Sequence, residues 1–145
     1  AAREHGVTPA ASLQSLFADN DVIVEVAPLN AATRGIVTAD LLAHLRPGSV
    51  FVNIGRGAVV DEVALIRVAR QGRVFFGLDV FASEPLPADS PLRGLRNVSL
   101  TPHLAGPTSD RHADAGAFAL ANLRAFAAGR PLQAVITPEL YDAST

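Results

Sequence analysis

Four short apolar runs recur along the chain: "VIVEVA" (22–27), "SVFVNI" (49–54), "VFFGLD" (74–79) and "VSLT" (98–101). Each is too short for a buried helix and rich in Val, Ile and Phe, so each is predicted to be a strand. Helical patterns separate the first three. Strand, helix and strand in alternation make βαβ crossovers, which predict a parallel sheet with helices covering both faces. That restricts the chain to the α/β class.

The helical segments carry their own start and stop signals. Ser12 is placed to cap a short helix that uses Leu13, Leu16 and Phe17. Thr38 caps a second, with Leu41, Leu42 and Leu45 on one face and Pro47-Gly48 as its stop. Asp61 caps a third over Ala64, Leu65, Val68 and Ala69, ended by Gly72. A longer helix is predicted from about Ser109 to Ala128, with Gly129 after it. Residues 81–97, "FASEPLPADSPLRGLRN", contain three prolines and no period. A structureless connection of that length in a compact domain is usually functional.

Composition removes several function classes. With 145 residues and 49% apolar content the chain has enough material for one domain with a core. Its net charge of −2 gives no electrostatic reason to bind nucleic acid or an acidic membrane. All twelve cations are Arg, so an arginine by itself carries less information than usual. The absence of Cys leaves no disulfide, thiolate metal site or thiol nucleophile, and fits a cytoplasmic setting. His5, His44 and His112 have no metal-ligand spacing and are read as surface residues; no metal is expected. No Met occurs, at the start or elsewhere, and the chain is read as a fragment or processed product.

In open parallel sheets ligands sit beyond the carboxyl ends of the strands. Those ends run into Ala27-Pro28, into Gly55-Arg56-Gly57, into Asp79 and into Thr101-Pro102-His103. An arginine, an aspartate and a histidine therefore meet at one rim, and the long loop adds Glu84. The stretch "NIGRGAVVDEVAL" has the strand–turn–helix setting of a G-x-G-x-x-G phosphate loop, but Val60 replaces the last glycine. Either Arg56 is a solvated turn residue, or the flanking glycines let the backbone present its planar fork to a carboxylate. Asp79 either caps a turn or, ending so apolar a run, has a specific partner. Glu84 taken alone is an ordinary loop carboxylate. His103 is a candidate general acid or base.

"NIGRGAVVDEVAL", "GLDVFASEPLP" and "NVSLTPHLAGPT", in this order and at these separations, resemble the D-isomer-specific 2-hydroxyacid dehydrogenases. "DVIVEVAPLNAATRGIV" is similar to the strand and loop that precede them in that family. The resemblance covers almost the whole chain, and the three motifs together are highly specific. It implies that Arg56 binds the substrate carboxylate and the oxygen being reduced. His103 would be the acid/base, and Glu84 the carboxylate that bonds this histidine, fixes its tautomer and favours its charged ring. Asp79 would hold the nicotinamide carboxamide. Ala27, Pro28, Ile54, Gly55, Arg56, His103 and Gly106 would line the same cofactor site.

The implied fold is a partial Rossmann domain, the second half of an NAD-binding domain, over residues 1–145. The glycine loop and the substrate domain, which precede this region in the family, are not among these residues. The implied cofactor is NAD, with NADP not excluded. The implied partner is a small 2-hydroxy or 2-oxo acid, and the parent enzyme is expected to be a homodimer. The 145 residues alone are expected to bind dinucleotide poorly and to be inactive. Val26 stands where many family members have His, and "HLAGPT" where "HIGGST"-like sequences are common, which bears on substrate choice. A nucleotide-sensing corepressor and an inactive truncated product fit the same resemblance and stand as alternatives.

Overall fold

The computed structural model describes residues 2–106 and 108–144. Four strands, β1 (Val22–Glu25), β2 (Val50–Asn53), β3 (Phe75–Leu78) and β4 (Val98–Leu100), form one parallel sheet in the order β1-β2-β3-β4. Every predicted strand is present, each somewhat shorter than its apolar run. α1 (Leu13–Asp19), α2 (Ala39–Ala43) and α3 (Glu62–Ala69) start where capping chemistry places them. The Ser12 side chain accepts from Ser15 N–H in a reciprocal capping box, Thr38 accepts from Leu41 N–H and Asp61 from Ala64 N–H. Each cap satisfies an amide that the helix itself leaves orphaned and contributes about 1 kcal/mol.

One face of the sheet carries the core. Ile23, Phe51, Phe76 and Leu78 point into it and meet Phe17, Leu41, Leu42 and Leu65 from the helices. Phe51 is completely buried between Phe17 and Phe76, its ring centroid 5.9 Å and 6.2 Å from theirs. Burying each such side chain stabilises the fold by roughly 1.5–3 kcal/mol. From the long β3–β4 connection, Leu92 inserts into the same core with no exposed surface.

The opposite face is open, which corrects the expectation of a sheet covered on both sides. Val22, Val24 and Phe75 are each more than half exposed there. The reason is topological. Parallel crossovers are right-handed, so strands added in one direction place every connecting helix on the same face. Covering both faces requires the strand order to reverse, and among the described residues it does not.

The predicted long helix begins with a 3-10 turn, Ser109–Arg111, and continues as α4 (His112–Ala127). Gly129, with φ 63°, follows it. α4 buries none of its residues. The strand-free chain after it is tied back by Asn122, whose amide bonds both N–H and C=O of Gln133. Three described elements were not anticipated: 3-10 turns at Ala2–His5 and Gly57–Val59, and α5 (Pro138–Ala143), whose Ala143 carbonyl accepts from Asn30 Nδ2 at 3.2 Å. Residues 81–97 contain no helix or strand, as expected. Among the described residues no helix is long and apolar enough to cross a membrane.

Candidate active site

The Gly55-Arg56-Gly57 turn is built from beneath by buried polar groups. Asn53, the last residue of β2 and only 2% exposed, spans it: Oδ1 accepts from Gly55 N–H at 3.1 Å and Nδ2 donates to the Arg56 carbonyl at 3.2 Å. Beyond the turn, Gly35 N–H bonds Ala58 O, Val37 N–H bonds Val59 O and Asp61 N–H bonds Val37 O. The turn is thus clamped on its far side. Gly57 is required by packing, because a Cβ there would collide with the backbone of Phe81 and Ala82. Gly55 is buried and Arg56 exposed, so the turn delivers a cation to the rim. The guanidinium folds back over its own turn, Nη1 donating to the Gly55 carbonyl at 2.8 Å.

Asp79 directly follows β3 and is only 3% exposed. Both carboxylate oxygens are bonded within the protein: Oδ1 accepts from Thr101 Oγ1 at 2.5 Å and from Leu104 N–H at 2.7 Å, and Oδ2 from Ala105 N–H at 2.8 Å. Burial pushes this carboxyl up, but the bonds from Thr101, Leu104 and Ala105, with the nearby His103, outweigh it and hold the group below its ordinary value. The Asp79 carbonyl also accepts from His103 N–H at 2.9 Å. His103 is thereby held at φ 56°, a left-handed conformation that non-glycine residues adopt at a cost of about 1–3 kcal/mol.

The strained backbone aims the imidazole across to the long loop, where His103 Nδ1 lies 2.7 Å from Glu84 Oε2. The other Glu84 oxygen accepts from Phe81 N–H at 3.0 Å, which orients the carboxylate. The bonds from His103 and Phe81, with the Arg56 charge as a smaller influence, hold the Glu84 carboxyl below its ordinary value. With Nδ1 committed to Glu84, Nε2 is the ring nitrogen left for a ligand. Both side chains are partly exposed, 46% for His103 and 35% for Glu84. A cavity of about 630 Å³ flanks the pair, walled by Phe81, Leu86 and Leu100.

The structure therefore brings Arg56, Glu84 and His103 to one rim, with Asp79 fastening the histidine loop from below. Ala27 and Pro28 follow β1 beside this turn, and Ile54 joins the two by donating its N–H to the Glu25 carbonyl at 3.2 Å. Gly106 stands apart on the exposed side of the loop, with no atom near the position of a Cβ. His5, His44 and His112 are exposed.

Two residues of the site escaped the sequence reading. One is Asn53; the other is Glu25, at the end of β1, only 8% exposed, whose Oε1 accepts from Ala27 N–H at 2.6 Å. Both are polar residues inside apolar runs, and the requirement that a buried polar group find a partner was the available signal.

Comparison with known proteins agrees with this geometry. Residues 1–105 match the family described as D-isomer specific 2-hydroxyacid dehydrogenase, NAD binding domain. The chain is 40% identical over 129 residues to the glyoxylate/hydroxypyruvate reductase B of Pectobacterium atrosepticum, covering 88% of this chain and 40% of that protein. It superposes with a TM-score of 0.76 and 41% identity on the D-isomer specific 2-hydroxyacid dehydrogenase of Xanthobacter autotrophicus Py2, solved with NADPH and MES, covering 88% of this chain and 41% of that one. A TM-score of 0.75 and 33% identity relate it to the NADPH-dependent glyoxylate/hydroxypyruvate reductase of Sinorhizobium meliloti, solved with NADP and sulfate, over 88% of this chain and 42% of that one. The chain spans about 40% of the length of the relatives it matches. By the family match and the shared parallel α/β fold, the chain belongs to the D-isomer specific 2-hydroxyacid dehydrogenases.

Proposed function

We propose that the polypeptide carrying this chain reduces 2-oxo acids to D-2-hydroxy acids with NAD(P)H, and that these residues form the nicotinamide side of its active site. The observation that carries the reading is the Glu84–His103 pair at 2.7 Å, on the same rim as Arg56. Glyoxylate and hydroxypyruvate are the first substrates to try, because similar proteins are named for them. The 145 residues are read as part of an NAD(P)-binding Rossmann domain.

The rim suits the nicotinamide end of a dinucleotide. Val26 and Ile54 are exposed beside the glycine turn and form an apolar shelf for a flat, uncharged ring. Ala27, Pro28 and Gly55 bring backbone close to that shelf, and Gly106 leaves open space beyond the histidine. The sequence holds no G-x-G-x-x-G, so no phosphate loop is assigned to these residues. Asp79 fastens the 101–105 loop, and Oδ2, which accepts only the Ala105 amide, is the oxygen proposed to hold the nicotinamide carboxamide. When bound, the reduced cofactor supplies the hydride that reaches C2 of the oxo acid.

The protein groups divide the remaining work. Arg56 holds the substrate carboxylate in its fork and stabilises negative charge growing on the carbonyl oxygen. His103 gives that oxygen a proton from Nε2, so the carbonyl that has taken the hydride becomes an alcohol. Glu84 keeps the proton on Nδ1 and offsets the charge of the doubly protonated ring before transfer. In the reverse direction His103 takes the hydroxyl proton. The test is NADPH or NADH consumption with a panel of 2-oxo acids. The reading requires stoichiometric formation of the 2-hydroxy acid, with D configuration wherever C2 becomes a stereocentre. Cofactor binding without turnover on any of them would favour a nucleotide-sensing protein instead.

A further inference from the structure

Glu25 is a carboxylate placed where an apolar side chain would be expected. It alternates with core Ile23 on the covered face of β1 and lies under the Gly55-Arg56 turn. Its Oε1 accepts from Ala27 N–H at 2.6 Å, while Oε2 is shielded from solvent and has no hydrogen-bond partner. Gly55 supplies the room, since a Cβ on that residue would come within 2.5 Å of Oε2. An oxygen buried without a partner costs about 1–3 kcal/mol. A leucine would remove the orphaned oxygen but would leave the Ala27 amide without its acceptor, so the carboxyl keeps one strand end bonded where leucine would free it. Burial pushes the Glu25 carboxyl up, against the backbone N–H groups of Ala27 and Arg56, which pull it down.

The geometry identifies the task. Ala27, whose amide the carboxyl accepts, and Gly55, which packs against Oε2, sit on the two strand ends that flank the rim, and one carboxyl touches both. The Arg56 guanidinium in turn rests on the Gly55 carbonyl. A shift of the carboxyl moves Gly55, and a shift of Gly55 moves the guanidinium. We propose that Glu25 is a positioning residue for Arg56, its buried carboxyl fixing the Gly55-Arg56 turn so that the fork meets the substrate carboxylate. This rests on the reading of Arg56 given above.

The experiment uses the full polypeptide carrying this chain, with Glu25→Leu, Glu25→Gln and Arg56→Lys measured in parallel for KM toward a 2-oxo acid, kcat and Tm. Misplacement of a binding group by about an ångström costs up to roughly 100-fold. Glu25→Leu is therefore expected to raise KM for the oxo acid roughly 10- to 100-fold while Tm changes little, because losing the Ala27 bond offsets losing the orphaned oxygen. Glu25→Gln keeps an acceptor for the Ala27 amide and is expected to hold KM within about twofold of wild type. A Leu variant with wild-type KM overturns the proposal. So does one that fails to fold or loses KM and Tm together, or a Gln variant as impaired as the Leu variant, since those results assign Glu25 to the fold. Arg56→Lys separates the two levels: wild-type KM there removes the substrate role of Arg56 and this proposal with it. Raised KM there beside a normal Glu25→Leu overturns the Glu25 proposal alone.

Discussion

His103 and Glu84 come from separate connections, one after β4 and one after β3, and still meet at 2.7 Å through Nδ1 and Oε2. Each is fixed by a further bond: His103 through its backbone to Asp79, Glu84 through its second oxygen to the Phe81 amide. The pair is held in place before any ligand arrives, and pre-organisation of this kind is what proton transfer at a fixed atom requires.

Glu84→Gln removes the charge and keeps the shape. Because the folded-state pKa of Glu84 lies below its ordinary value of 4.5, its stabilising contribution is full above that value and disappears as pH falls through the depressed folded pKa. Thermal melts of wild type and Glu84→Gln should therefore differ near neutrality, with wild type the more stable, and converge in acid below pH 4.5. The partial exposure of both side chains keeps the difference small. Oxo-acid turnover at neutral pH should fall about tenfold or more. Melts that differ equally at every pH would detach Glu84 from His103.

Asp79→Ala leaves the amides of Leu104 and Ala105 and the Thr101 hydroxyl without their acceptor. Hydrogen bonds to a charged group are worth about 1.5–3 kcal/mol each, so the local loss should amount to several kcal/mol. The left-handed backbone of His103 would then relax. Hydrogen exchange is the measure: the amides of His103, Leu104 and Ala105 should lose protection first, well before those of β2. Unchanged protection there would mean that the loop is held by something other than Asp79.

Two glycines of the site should respond oppositely to alanine. Gly57→Ala drives a methyl into the Phe81 backbone, which cannot yield without moving the loop that carries Glu84. A loss of several kcal/mol, or failure to fold, is expected. Gly106→Ala meets no atom and involves no positive φ, so stability should stay within about 0.5 kcal/mol. Any fall in cofactor affinity of Gly106→Ala then reports on ligand contact. Equal Tm values for the two variants would contradict the packing described here.

The strands, the three capped helices and the rim were legible because each depends on local chemistry. Ser12, Thr38 and Asp61 announce helix starts within a few residues of sequence, and apolar runs announce buried strands. The open face was not legible, because no local pattern records the order in which strands lie side by side. The convergence of Arg56, Glu84 and His103 came from their positions at strand ends and from family motifs. What fastens them did not: that Asp79 would grip Thr101, Leu104 and Ala105 depends on backbone amides, which any sequence supplies. Glu25 and Asn53 were readable in principle, since the same argument that singled out Asp79 applies to a carboxylate or amide inside "VIVEVA" or "SVFVNI".

The most direct measurement is single-turnover reduction of a 2-oxo acid by His103→Ala in the full polypeptide carrying this chain, with cofactor affinity determined on the same sample. If Nε2 of His103 supplies the proton, hydride transfer should slow by about 10²–10⁴-fold. NADPH affinity should change by no more than a few-fold, because the role proposed for the Glu84–His103 pair is at the substrate oxygen. Hydride transfer at the wild-type rate in His103→Ala would contradict the account.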